Sequence, residues 1–202
     1  MTPYEFGHEL EKIYGDDLKS VVLYGSAAGG NHSKKFSDFN IFCVLTNLLP
    51  FELAKSNKLV RKWTKKGNPS PHFFDQNHIE RSLDVFPMEF LDIKDKHKVI
   101  IGTDPLAGIT VDPKNLRLQC ESELKGKLLH LRSFYASTCH KPRKIAHVIV
   151  DSFPTFLAVF RSLLRLSNIP VPDDATAVIE KVSQIGNFNP EVFLEIVLIK
   201  NS

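Results

Sequence analysis

The sequence predicts an α+β fold in two parts, a mixed sheet with flanking helices followed by an α-helical C-terminal domain. Three observations predict it. Two apolar runs, residues 20–24 and 39–45, have the length and β-rich content of strands and flank a Gly-Ser turn. A third run, 86–93, alternates in a way that suits another strand. From about residue 114 the period becomes helical, with Cys120, Leu124, Leu128, Leu131 and Tyr135 on one stripe.

The elements follow in order. Thr2-Pro3-Tyr4-Glu5 is a helix start: Thr2 caps, Pro3 suits the first turn and Glu5 completes a capping box. Phe6, Leu10 and Ile13 keep helical spacing, and Gly15 stops the helix. After the two strands, residues 51–66 predict a helix that buries Leu53, Leu59, Val60 and Trp63, broken by Gly67-Asn68-Pro69-Ser70-Pro71. His78 to Leu83 suits a short helix, and Val99 to Gly102 a short extended piece. Pro142 opens a helical region to 167 that Pro154 should kink or divide, because proline lacks the N–H and crowds the preceding turn. Asp173 or Asp174 caps a helix to about Ile185, and Asn189-Pro190 starts a last, very apolar one. The linker Gly102-Thr103-Asp104-Pro105-Leu106-Ala107-Gly108 divides an α/β head, 1–108, from a helical domain, 109–202.

Composition is that of a chain able to bury a core, with 43% apolar and 24% charged residues. A formal charge of +3 does not mark a nucleic-acid binder and suits an anionic small substrate. The three cysteines are widely spaced and form no metal or disulfide pattern; Cys43 and Cys120 read as small core residues. No signal peptide and no continuous apolar run of membrane length is expected, so a cytoplasmic location is. No Ser-His-Asp set or GxSxG elbow supports hydrolysis.

Chemistry concentrates in residues 21–45. A strand ending in Gly25-Ser26 presents backbone N–H groups to an anion, while Gly29 and Gly30 keep the loop open. Asp38 stands at the start of the next strand, and Asn40, two residues on, points to the same side. On a third strand Glu89 is the carboxylate expected at the same cleft, with Asp92, an odd number of residues away and so on the other face of a regular strand, as its rival for that role. Converging carboxylates are how a protein holds Mg²⁺ on a triphosphate.

Gly25-Ser26 with Gly30, then Ser37-Asp38-Phe39-Asn40, resembles the Gly-Ser … Asp-x-Asp pattern of the DNA polymerase β-like nucleotidyltransferase superfamily, in the style of small bacterial and antibiotic nucleotidyltransferases. The resemblance implies a nucleotidyltransferase-like head, an NTP substrate with Mg²⁺, and transfer of a nucleoside monophosphate to a small-molecule or protein acceptor. It implies that Gly25, Ser26 and Gly30 bind the nucleotide. Asp38 and Glu89 are then catalytic, and Asp38, Asn40 and Glu89 bind metal. Asn40 departs from the pattern, because the family has a carboxylate there and hard cations prefer one. Two readings follow: an active transferase, and a weak or inactive nucleotide-binding or protein-interaction member, for example antitoxin-like.

Outside that segment, Lys58, Arg61, Lys62 and Lys65 stand at i, i+3, i+4 and i+7. They read as a solvated face, with contact to substrate phosphates or a tRNA-like acceptor as the alternative. His72, His78 and His97 lack metal-ligand spacing and read as surface residues. Oligomeric state has no mark in the sequence.

Overall fold

The structure is a computed structural model that describes residues 1–29 and 38–201. The chain divides into two compact units, Met1–Leu83 with Glu89–Thr110, and Asp84–Met88 with Val111–Ser202.

The first unit opens with α1 (Pro3–Tyr14). Its capping box is complete: Thr2 Oγ1 accepts the Glu5 N–H at 3.2 Å, and the Glu5 carboxylate accepts the Thr2 N–H at 2.8 Å. A 3₁₀ turn, Gly15–Asp17, leads into β1 (Leu18–Tyr24), followed by β2 (Asn40–Leu45). Two short helices, α2 (Pro50–Lys55) and α3 (Asn57–Thr64), precede β3 (His72–Phe74). Then come α4 (Gln76–Ser82), α5 (Pro87–Asp95) and β4 (His97–Gly102). The sheet order is β3-β2-β1-β4, with β1 antiparallel to both neighbours and β3 parallel to β2, so the sheet is mixed as expected.

Both faces of this sheet are covered, which is why β1 and β2 are continuous apolar runs. On one face Val21, Leu23, Ile41, Cys43 and Leu45 pack with Phe6 and Leu10 of α1 and Trp63 of α3. On the other, Val22, Phe42 and Val44 pack with Ile79 of α4, Phe90 of α5, Leu106 and Ile109. Tyr24 joins this second cluster at its edge. Side-chain alternation therefore puts Asn40, in register with Tyr24, on the α4 and α5 side.

Three expectations for this unit are corrected. Residues 86–93 are not a strand but most of α5. Pro87 suits a first helical turn, Glu89 and Lys94 sit at the ends the helix dipole favours, and Phe90 and Ile93 bury at i, i+3. The helix expected over 51–66 is two helices parted at buried Ser56, whose hydroxyl donates to the Leu53 carbonyl at 3.1 Å. Trp63 is fully buried as expected, and Leu53, Leu59 and Val60 pack around it. The third strand beside β2 is β3, too short to show in the sequence pattern.

The second unit holds α6 (Pro113–Thr138), α7 (Pro142–Leu166), α8 (Ala175–Gly186) and α9 (Glu191–Asn201). Asp112 caps α6 and Asp174 caps α8, each accepting a backbone N–H with its carboxylate. Phe153, Phe160 and Leu164 of α7 pack with Val178, Ile179 and Val182 of α8 and Ile196 of α9. Pro154 lies inside α7 without dividing it. The α6 stripe is buried only at its start: Cys120 is in contact, whereas Leu128 and Tyr135 are exposed.

The absence of a continuous apolar run does not exclude a spanning helix. By length and composition α7 is apolar enough to cross a membrane, with a mean hydropathy of 1.3 over its best window. Its buried residues Phe153, Phe160 and Leu164 pack in the helical core just described.

Candidate nucleotide site

The site is built at the end of β1. Gly25 has φ +78°, a conformation that side chains disfavour, and its N–H donates to the Lys96 carbonyl at 2.9 Å. This bond ties the turn to the chain entering β4. Ser26–Gly29 then form a turn closed by the Ala28 N–H on the Gly25 carbonyl at 3.0 Å. Ala27 is buried and anchors the turn in the core, which leaves Ser26 exposed. Ser26 is thus free to present its hydroxyl outward from a fixed backbone.

Asp38 is exposed and immediately precedes β2; Asn40, half-buried, is its first residue. Asn40 pairs in register with Tyr24, and Tyr24 with His97 across the other edge. Burial pushes the Tyr24 phenol above its ordinary pKa, so it stays protonated beside the turn. The structure thus brings Gly25, Ser26, Asp38 and Asn40 to one end of the β1–β2 pair. Gly30 and Ser37 lie outside the described residues.

Glu89 is placed differently from expectation. It is an exposed residue in the first turn of α5, so strand alternation no longer aims it at the cleft. On a helix, Glu89 and Asp92 are three apart and share a face rather than opposing each other. The helix α5 does cover the face of the sheet that Asn40 belongs to, through Phe90 and Ile93.

Among the described residues none of the four strands carries an acidic side chain. Beside β2, the strand β3 offers His72, Phe73 and Phe74. Among the described residues no group of three His, Cys, Asp or Glu side chains is placed to hold a metal ion. One exposed carboxylate and one amide do not amount to a two-metal site, so the described residues do not fit the expected protein-held Mg²⁺.

Sequence reasoning missed two contributors. Lys96 holds Gly25 through its carbonyl, a backbone role that no side-chain pattern signals. Tyr24 was legible only as the last strand residue before the turn.

No family model and no curated protein matches the chain. Among solved structures it is similar to the spectinomycin adenyltransferase AAD(9) from Enterococcus faecialis, crystallised with ATP and spectinomycin. The TM-score is 0.57 at 14% identity, covering 98% of this chain and 88% of that one. A toxin–antitoxin structure with AMP-PNP matches 63% of this chain and 95% of that one, at TM-score 0.35 and 15% identity. The tri-AMPylated Shewanella oneidensis HEPN toxin in complex with MNT antitoxin matches at TM-score 0.30 and 14% identity, over 70% of this chain and 99% of that one. The chain shares its α+β fold with that adenyltransferase.

Proposed function

We propose that this chain is a nucleotidyltransferase that moves a nucleoside monophosphate from an NTP to an acceptor hydroxyl. The observation that carries the reading is the pairing of Tyr24 with Asn40, which sets the Gly25-Ser26 turn beside Asp38 at one end of two strands. That arrangement stands in a fold shared with an adenyltransferase.

The turn backbone and the Ser26 hydroxyl hold the triphosphate. The acceptor oxygen attacks the α-phosphorus, the bond from that phosphorus to the bridging oxygen breaks, and pyrophosphate leaves. The acceptor proton passes to a carboxylate, Asp38 or, from α5, Glu89 or Asp92. ATP is the natural first nucleotide to try.

A second reading, nucleotide binding without transfer, is favoured by Asn40 and by the lack of any acidic side chain on the four strands. One experiment separates the two. Thermal shift with each of the four NTPs, with and without Mg²⁺, reads binding, and pyrophosphate release with candidate acceptor alcohols reads transfer. Ser26→Ala should weaken the nucleotide-induced shift, and Asp38→Asn should abolish release. No shift with any NTP rejects both readings; a shift without release under every acceptor tried favours the second.

A further inference from the structure

We propose that Lys96 supplies the positive charge that meets the phosphates at the Gly25-Ser26 turn, so that the chain binds an NTP without a divalent cation. The inference rests on the transferase reading of that turn and concerns the binding step alone.

The polyphosphate of an NTP needs a counter-charge. In a two-metal site, carboxylates hold the cations that provide it. Here the end of the β1–β2 pair offers one exposed carboxylate, Asp38, and the Asn40 amide. Such a pair suits a hard divalent cation poorly. The charge must then come from the protein, and the chain entering β4 brings a cation to the turn.

Lys96 meets the turn at two places. Its carbonyl accepts the Gly25 N–H at 2.9 Å, and its Cδ lies 3.9 Å from the point where a Cβ on Gly29 would stand. The Ser26 carbonyl oxygen is 3.9 Å from the same point. The methylenes of Lys96 therefore run beside the turn, from its Gly25 end toward Gly29, with the ammonium two bonds beyond Cδ. Gly29 has no side chain to stand between that ammonium and a bound phosphate. Lys96 is half-buried, so its charge is screened less than it would be in bulk water. An ammonium with three donors suits phosphate oxygens as a point charge.

The neighbouring lysines are directed elsewhere. Lys94 Nζ donates to the Ile109 carbonyl at 2.8 Å, and Lys98 Nζ stands 5.5 Å from the centre of the Tyr4 ring. The backbone that carries Lys96 is tied down on both sides. Its own N–H donates to the Ile93 carbonyl at 3.2 Å. Next to it, His97 Nδ1 is 2.9 Å from the Lys94 carbonyl oxygen, and His97 Nε2 is 3.2 Å from the Asp104 carboxylate. The Leu106 N–H donates to that same carboxylate oxygen at 2.8 Å. A lysine stem held against the turn in this way needs little further ordering when phosphate binds.

Calorimetric titration in EDTA and in Mg²⁺, with whichever NTP raises Tm most, tests this. The native chain should bind the NTP in EDTA at least as tightly as in Mg²⁺, because the free nucleotide is more negative than its Mg²⁺ complex. Sodium tripolyphosphate should compete. Lys96→Met keeps the stem and the main-chain carbonyl and removes the charge. It should weaken binding in EDTA on the order of ten- to a hundredfold, the loss of one charge-assisted contact. Lys96→Arg should keep most of the affinity, and the control Lys98→Met should match the native chain. Tighter binding in Mg²⁺ than in EDTA, failure of tripolyphosphate to compete, native affinity in Lys96→Met, or an equal loss in Lys98→Met overturns the inference and leaves the transferase reading standing. Binding of no NTP in either buffer overturns both. The comparison of buffers uses the native chain, so it decides even if circular dichroism shows the methionine variant unfolded.

Discussion

The side-chain nitrogen of Asn40 lies 3.3 Å from the point where a Cβ on Gly25 would stand. The two halves of the candidate site therefore lie against each other: the Gly25 turn, proposed to meet phosphate, and Asn40 at the start of β2. With φ at +78°, Gly25 holds a backbone state that other residues adopt only at cost.

Gly25→Ala should accordingly fail twice. Strain at that φ costs on the order of 1–3 kcal/mol, and the new methyl group presses on the Asn40 amide. A lower Tm with loss of the ATP-induced thermal shift is the expected outcome. An unchanged Tm together with a full ATP response would show that the turn is neither strained nor part of the site.

Asn40→Asp adds a carboxylate on the same side as Asp38. Two adjacent carboxylates attract a divalent cation that one carboxylate and an amide hold poorly. The variant should show a thermal shift with Mg²⁺ alone that the native chain lacks, and a greater yield of pyrophosphate if charge is what limits transfer. Equal Mg²⁺ responses in the two proteins would mean that position 40 does not face the cation.

The cysteines divide by environment. Cys43 and Cys120 are buried, and burial pushes both thiols up, Cys43 most strongly; Cys139 is exposed. A colorimetric thiol reagent should titrate one group quickly in the native protein and three after denaturation. Fast reaction of a second thiol would place Cys120 or Cys43 nearer to solvent than the packing shown here.

What the sequence reveals follows how local each determinant is. The Thr2 capping box, the Gly25-Ser26 turn between two strands and the helical period that begins near residue 114 depend on neighbours a few residues apart. Residues 86–93 mislead because Phe86, Met88 and Phe90 alternate while Phe90 and Ile93 also fit a helix; tertiary burial against β1 and β2 decides for the helix. The placement of Glu89 on a strand face rests on that run and changes with it. The partner of β2 is invisible for another reason: His72–Phe74 is three residues long and defined by its parallel register with Phe42, Cys43 and Val44. The α6 stripe shows the reverse error, since helical periodicity reports an apolar face without saying whether anything covers Leu128 and Tyr135.

Gly102 offers the sharpest test of the sheet. It pairs with Ser20 at the end of β4, has φ +77°, and a Cβ there would stand 1.9 Å from the Lys19 carbonyl oxygen. Backbone rather than a flexible side chain is in the way, so the strand pair itself must shift. Gly108→Ala is the matched control, because nothing lies within 4 Å of its added methyl and its φ is not positive. Gly102→Ala should lower stability by roughly 3 kcal/mol or more, the strain of its φ compounded by the clash. Gly108→Ala should change stability by less than about 1 kcal/mol. Urea melts of the two variants check the difference, and equal midpoints would show that β4 does not approach β1 as closely as Lys19 and Gly102 require.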